Sequence, residues 1–164
     1  MTKDEFLVHP FPAVSANDSR ILILGSFPSV VSRQQSFYYA NPTNRFWRVL
    51  EELFHTKIDD RKQFCLDHQI ALWDVIHSCR IHGSSDASIS DVTANDIQGL
   101  VNQTEIHTIF TTGAKASNLY EKYVTCDQEH IALPSTSAAN ARMRMVELTN
   151  AYQIILEKLN EGKD

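Results

Sequence analysis

Cysteine is scarce in this chain. The three that occur, Cys65, Cys79 and Cys126, lie far apart in 164 residues. Their spacing forms neither a disulfide framework nor a zinc-ligand pattern, and it reads as reduced, buried thiols in a cytoplasmic protein. The seven histidines contain no H-x-x-x-H pair, so no metal site is expected. His77, His107 and His130 read as surface or strand-end residues; His82, in a polar connection, is the one placed to meet a phosphate. No apolar run approaches a membrane span, and Met1-Thr2-Lys3-Asp4-Glu5 lacks the apolar core of a secretory leader. A phosphate-cradling glycine loop, a dinucleotide fingerprint and a G-x-S-x-G elbow are all missing, and no cofactor is expected. Positive charge is also short. A net charge of −5 exerts no global pull on nucleic acid, so such a partner needs local basic spots. Arg33, Arg45, Arg48, Arg80, Arg142 and Arg144 are available; solvated surface is the default reading for the first four, whereas Arg142 and Arg144 directly follow a polar motif.

What is present is ordinary for a globular protein: 43% hydrophobic and 21% charged residues. The length fits a single domain over residues 1–164. Residues 1–20 read as an extended arm. Ile21-Leu22-Ile23-Leu24 has the length and branching of a buried parallel strand, and Gly25-Ser26 and Pro28-Ser29 end it. A helix follows from Asn44, with Phe46, Leu50, Leu53 and Phe54 on one face and Thr43 or Asn44 as its cap. Asp59-Asp60 caps a short helix through Cys65. Residues 69–76 form a second strand, and residues 77–93 read as a connection too polar for the core. Asn95 or Asp96 caps a helix carrying Ile97, Leu100 and Val101. A third strand covers 105–111. Gly113 breaks it before a helix over 114–124, with Ala116, Leu119, Tyr120 and Tyr123 inward. A fourth strand covers 129–133. A final helix spans roughly 141–160, with Met145, Leu148, Tyr152, Ile155, Leu156 and Leu159 on its face. Alternating strands and helices predict an α/β fold, a three-layer α/β/α sandwich around a central four-stranded parallel sheet.

Loops at the carboxyl ends of parallel strands are where ligands bind. Three polar segments leave those ends: residues 26–44, 74–86 and 135–144. The first is long for a structureless loop and so reads as functional.

Gly25-Ser26-Phe27-Pro28-Ser29, followed by Tyr38-Tyr39-Ala40-Asn41-Pro42-Thr43-Asn44-Arg45-Phe46-Trp47, resembles the first motif of DNA-deoxyinosine (hypoxanthine-DNA) glycosylases, a branch of the uracil-DNA glycosylase superfamily. The likeness continues in order through Ala71-Leu72-Trp73-Asp74-Val75-Ile76, Gly83-Ser84-Ser85-Asp86, Asn95-Asp96-Ile97 and Gly113-Ala114-Lys115-Ala116. It ends at Leu133-Pro134-Ser135-Thr136-Ser137-Ala138-Ala139-Asn140-Ala141. The three-layer fold is also what the resemblance implies. Some relatives in the wider superfamily hold an iron–sulfur cluster on four cysteines; this chain has too few.

The resemblance implies a monofunctional glycosylase acting on DNA, single- or double-stranded, that contains a deaminated base, chiefly hypoxanthine. Such an enzyme swings the nucleotide out of the stack and holds its base by stacking and edge contacts. Asn44 matches the implied catalytic asparagine; its amide can hold the attacking water or hydrogen-bond the departing purine. Helix capping is the competing role. Phe27 and Tyr39 are expected to stack on the base, with Ser26 and Pro28 beside them, while at least two of Phe27, Phe37, Tyr38 and Tyr39 close a small core. Asp74, an acceptor when ionised, suits the N1–H of hypoxanthine, which adenine lacks; a structural turn cap is equally open. Ser29, Ser32, Ser135, Thr136 and Ser137 are expected to bind DNA, the last three by clamping phosphate, and Asn140 with Arg142 to reach its backbone or bases; a helix-start cap is the competing role for Ser137 or Asn140. Many relatives carry a polar catalytic residue where Phe27 stands and a histidine where Leu133 stands, so strong uracil activity is not expected. A uracil or mismatch glycosylase remains the alternative within enzymes, and a lesion- or nucleotide-binding module without turnover remains outside them.

Overall fold

The computed structural model describes residues 4–162. Its centre is a parallel sheet built on β2 (Ile21–Gly25), every residue of which is buried. Strand β2 is flanked by β3 (Ile70–Asp74) and β6 (Thr108–Thr112), and β7 (Glu129–Leu133) lies outside β6, giving the order β3-β2-β6-β7. The side chains of β2 alternate. Ile21 and Ile23 enter one core with α2 (Phe46–Phe54), α3 (Arg61–Asp67), α6 (Met145–Tyr152) and α7 (Ile154–Asn160). Leu22 and Leu24 enter the other, with α4 (Ile97–Asn102) and α5 (Ala114–Tyr123). The predicted three layers and parallel sheet are therefore present.

Register decides where the loops go. Gly25 lies opposite Asp74, and Thr112 opposite Leu133. The carboxyl ends of all four strands thus stand level at one edge.

Several elements differ from the sequence reading. The polar stretch 77–93 is not a plain connection: β4 (Ile76–Ile81) and β5 (Ser90–Ala94) form a second, antiparallel sheet with β1 (Glu5–Val8), in the order β1-β4-β5. Ile76, Ser78, Cys79 and Ile81 of β4 are buried while His77 and Arg80 face solvent. The amino-terminal arm is thus partly strand; its residues 1–3 lie outside the described residues. The long loop contains a short helix, α1 (Val30–Gln35), capped by the Ser29 hydroxyl. The second and third strands are shorter than read, at Ile70–Asp74 and Thr108–Thr112. The final helix starts at Met145, where Glu147 accepts the Arg144 backbone N–H at 3.0 Å, and it is interrupted at Gln153. Its apolar face holds nonetheless: Leu148, Tyr152, Ile155 and Leu159 are buried. Tyr123, expected inward, is 41% exposed. Asp60 and Asp96 cap their helices by accepting from Gln63 and Gly99 backbone N–H groups.

Candidate active site

At the level carboxyl edge the chain leaves a cleft of about 200 Å³. Its walls come from residues 25–29, Ser32, Tyr38, Tyr39, Asn41, Thr43 and Asn44 of the first loop, Asp74 with Ser84 and Asp86, Thr112, and the turn 135–138. The three polar segments singled out in the sequence do meet.

Asn44 sits where the first loop runs into α2. Its Oδ1 accepts the Phe46 backbone N–H at 2.9 Å and the Thr136 hydroxyl at 2.8 Å. The first bond satisfies the backbone N–H of the first residue of α2, whose N-cap position is taken by Arg45 rather than by Thr43 or Asn44; the second links the helix start to the 135–138 turn. Both acceptor sites of the carbonyl are thereby occupied. The Asn44 Nδ2 makes no hydrogen bond among the described residues, so the amide is left with its donor end for the cleft. Next to it, Arg45 secures the turn. Its backbone N–H donates to Thr136 O at 3.0 Å, and its guanidinium donates to the carbonyls of Met143 and Asn140 at 2.5 and 2.9 Å and, more weakly, of Ser137.

Asp74 ends β3, 4% exposed. Its backbone carbonyl accepts from the Asn95 amide at 2.9 Å, which places Asn95 in a structural role while Asp96 does the capping. Its Oδ2 lies 2.8 Å from His9 Nε2. Its Oδ1 lies over Gly25, where a Cβ would come within 2.5 Å of it. Gly25 is therefore the residue that lets the carboxylate lie flat against β2. His9 was not visible as a site residue in the sequence, because 65 positions separate it from Asp74. The one available signal was its setting in His9-Pro10-Phe11-Pro12, a segment that proline holds extended.

Among the four aromatics, Phe37 stacks on Trp47 with centroids 5.9 Å apart. Tyr38 is 2% exposed and donates to Pro12 O. Those two close the core under the loop, as expected of at least two of the group. Phe27 and Tyr39 line the cleft, and Tyr38 also reaches its wall. Phe27 is buried, with the Arg33 guanidinium over its ring at 5.8 Å. Tyr39 stacks on Phe46 at 3.9 Å, and its hydroxyl shares a hydrogen bond with Thr112 Oγ1 at 2.9 Å. Its φ of 52° is a left-handed conformation that a bulky residue adopts only when its surroundings enforce it. Burial, and then the nearby Asp74 carboxylate, push the hydroxyls of Tyr38 and Tyr39 well above the ordinary tyrosine range, so both remain neutral donors.

The remaining predicted residues divide. Ser26 and Pro28 line the cleft, with the Ser26 hydroxyl 3.1 Å from Asp86 Oδ1. Ser29 caps α1, and the buried Ser32 hydroxyl accepts from Ala40 N–H at 3.1 Å, so both lie on the wall with a part in shaping the loop. Ser135, Thr136 and Ser137 line the cleft; Ser135 and Ser137 accept backbone N–H groups two residues on. Asn140 lies off the wall and donates to Ser135 O. Arg142 is exposed beside the turn, outside the lining. Arg33 donates to Gly83 O, and Arg80 and Arg144 pair with Asp91 and Glu147. Among the described residues no cluster of three or more side chains could hold a metal ion.

The family model of the uracil DNA glycosylase superfamily matches residues 11–160. The chain belongs to the uracil DNA glycosylase superfamily. Two proteins similar to this chain are named hypoxanthine DNA glycosylases. One, from Methanosarcina acetivorans, is 37% identical over 138 residues, covering 80% of this chain and 87% of its own. The other, from Methanosarcina barkeri, is 33% identical with the same coverage. A solution NMR structure from Methanosarcina acetivorans, provisionally assigned as a uracil DNA glycosylase, superposes with a TM-score of 0.72 at 32% identity. It covers 92% of this chain and 99% of that one. The matched region of this superfamily member contains the whole cleft.

Proposed function

We propose that the protein is a monofunctional DNA glycosylase that hydrolyses the N-glycosidic bond of hypoxanthine at deoxyinosine sites. The relatives named hypoxanthine DNA glycosylases support the substrate. The observation that carries the reading is the convergence of Asn44, Asp74 and the 135–138 turn on one cleft.

The chemistry follows from what each group can offer. As the bond to the sugar lengthens, negative charge spreads into the purine and positive charge onto the sugar. Asn44, its carbonyl occupied, offers N–H donors to an acceptor atom of the departing base, which grows more basic in the transition state. That geometry favours contact with the leaving base over deprotonation of water. Among the described residues the ionisable side chains of the lining, tyrosines aside, are Asp74 and Asp86, both acidic, which suits a cationic sugar. Asp74 Oδ1 accepts from N1–H of hypoxanthine, where adenine presents a lone pair. Phe27 and Tyr39 supply apolar wall for the base. Among the described residues no lysine lines the cleft, and Lys115 stands at the start of α5, which supports water rather than an amine as the nucleophile, with no strand cleavage expected.

The test is a panel of oligonucleotides containing hypoxanthine, uracil, xanthine or ethenoadenine, incubated with protein and treated with alkali to break abasic sites. Breaks at hypoxanthine are expected to form fastest. Faster breakage at uracil would reassign the substrate, and breakage at none would leave a binding module.

A further inference from the structure

The amino-terminal arm reaches the floor of the cleft through one side chain. His9, its side chain 3% exposed, stands between Phe11 O, 2.8 Å from Nδ1, and Asp74 Oδ2, 2.8 Å from Nε2. A backbone carbonyl only accepts, so Nδ1 carries hydrogen. The Nε2–Oδ2 contact then holds one further proton, either as imidazolium facing carboxylate or as imidazole facing carboxylic acid. In both arrangements that proton lies on the His9 side of Asp74. Oδ1 is left bare, an acceptor, over Gly25, in a residue that lines the cleft. The ring itself cannot turn away. Phe11 and Phe27 meet it edge-on, with centroids at 4.8 and 5.9 Å, and Tyr38 closes a third side at 6.0 Å.

We infer that His9 is a specificity-determining positioning residue: by fixing Oδ2 and its proton, it keeps Asp74 Oδ1 facing the cleft as an acceptor for the N1–H of the bound base. The inference rests on the reading of Asp74 as the group that reads that base edge. It assigns the arm a second task besides pairing β1 with β4. Without the imidazole, the carboxyl group is free to rotate and to carry a proton on either oxygen. An Oδ1 bearing hydrogen meets the lone pair of an N1 that has no hydrogen, and discrimination falls.

The test compares single-turnover excision of hypoxanthine with that of unsubstituted purine, which lacks the N1–H, in otherwise identical duplexes. His9→Phe keeps the ring and removes the hydrogen bonds; His9→Leu replaces it should the Phe variant not fold by near-ultraviolet circular dichroism. His9→Gln returns an N–H to Oδ2, and Asp74→Ala removes the acceptor. Expected is a hypoxanthine-over-purine ratio about 10- to 100-fold lower in His9→Phe and Asp74→Ala, with His9→Gln recovering most of it. A merely structural role would lower both rates together and leave the ratio alone. A folded His9→Phe or His9→Leu with the wild-type ratio, beside an Asp74→Ala that has lost it, overturns the inference and leaves the base-reading role standing. Failure of His9→Gln to recover the ratio overturns it as well. An Asp74→Ala that keeps the wild-type ratio defeats the base-reading role itself.

Discussion

The Asn44 carbonyl takes one hydrogen bond from its own helix and one from a turn 92 residues away. The second fixes the direction of the amide. Thr136→Val keeps the shape of that buried residue and removes the donor. It is expected to cost about 1 kcal/mol of stability by urea unfolding. It should also slow base release about 10-fold with little change in DNA affinity, since the loss is of orientation rather than of binding. Gly25 is equally exacting. A methyl there would collide with Asp74 Oδ1, so Gly25→Ala should displace the carboxylate and lower the hypoxanthine-over-purine ratio of excision rates while the fold persists by circular dichroism.

Arg45 joins α2 to the 135–143 segment through carbonyls at three positions. Such bonds from a charged donor are worth more than neutral ones, and the carbonyls left bare are part-buried. Arg45→Ala is expected to lose roughly 2–3 kcal/mol in urea unfolding and most of the base-release activity. Arg45→Lys should restore little, because one ammonium cannot reproduce the guanidinium fork. None of this was visible in the chain, where Arg45 read as a surface cation. What could be read there was the local pattern. The Ile21–Leu24 run, the period of α2, the caps at Asp60 and Asp96 and the face of the last helices all depend on neighbours within a few residues. The antiparallel sheet could not be read that way. In β4 two of the four buried positions are Ser78 and Cys79, and its partner β1 lies some seventy positions earlier in the chain. A strand made of such residues is defined by its pairing, not by its composition. Helix α1 escaped for a related reason: Ser32, a polar residue, is its buried one.

The molecule as a whole confines its chemistry to the carboxyl edge of the sheet, which parallel strands made foreseeable, whereas the contribution of His9 needed the tertiary fold. Acid should weaken the fold. Burial lowers His107 and His130 from their ordinary value of 6.5. For a histidine lowered in the folded state, the unfolded chain takes up the proton first as pH falls. The contribution is intact above about 6.5 and lost below it. Glu147 is lowered by its hydrogen bonds from Arg144, and Glu161 by Lys158, and both add losses only below their ordinary 4.5. The urea midpoint should therefore fall between pH 7.5 and 5.5, and fall less in a His107→Gln, His130→Gln double variant.

The most direct measurement on the cleft is single-turnover base release from a deoxyinosine duplex by the wild type and by Asn44→Ala, with DNA affinity determined for both. Expected are alkali-sensitive breaks at the inosine with the wild type, and a rate lowered by about 100-fold or more in Asn44→Ala at nearly unchanged Kd. An Asn44→Ala protein that releases hypoxanthine at the wild-type rate would contradict it.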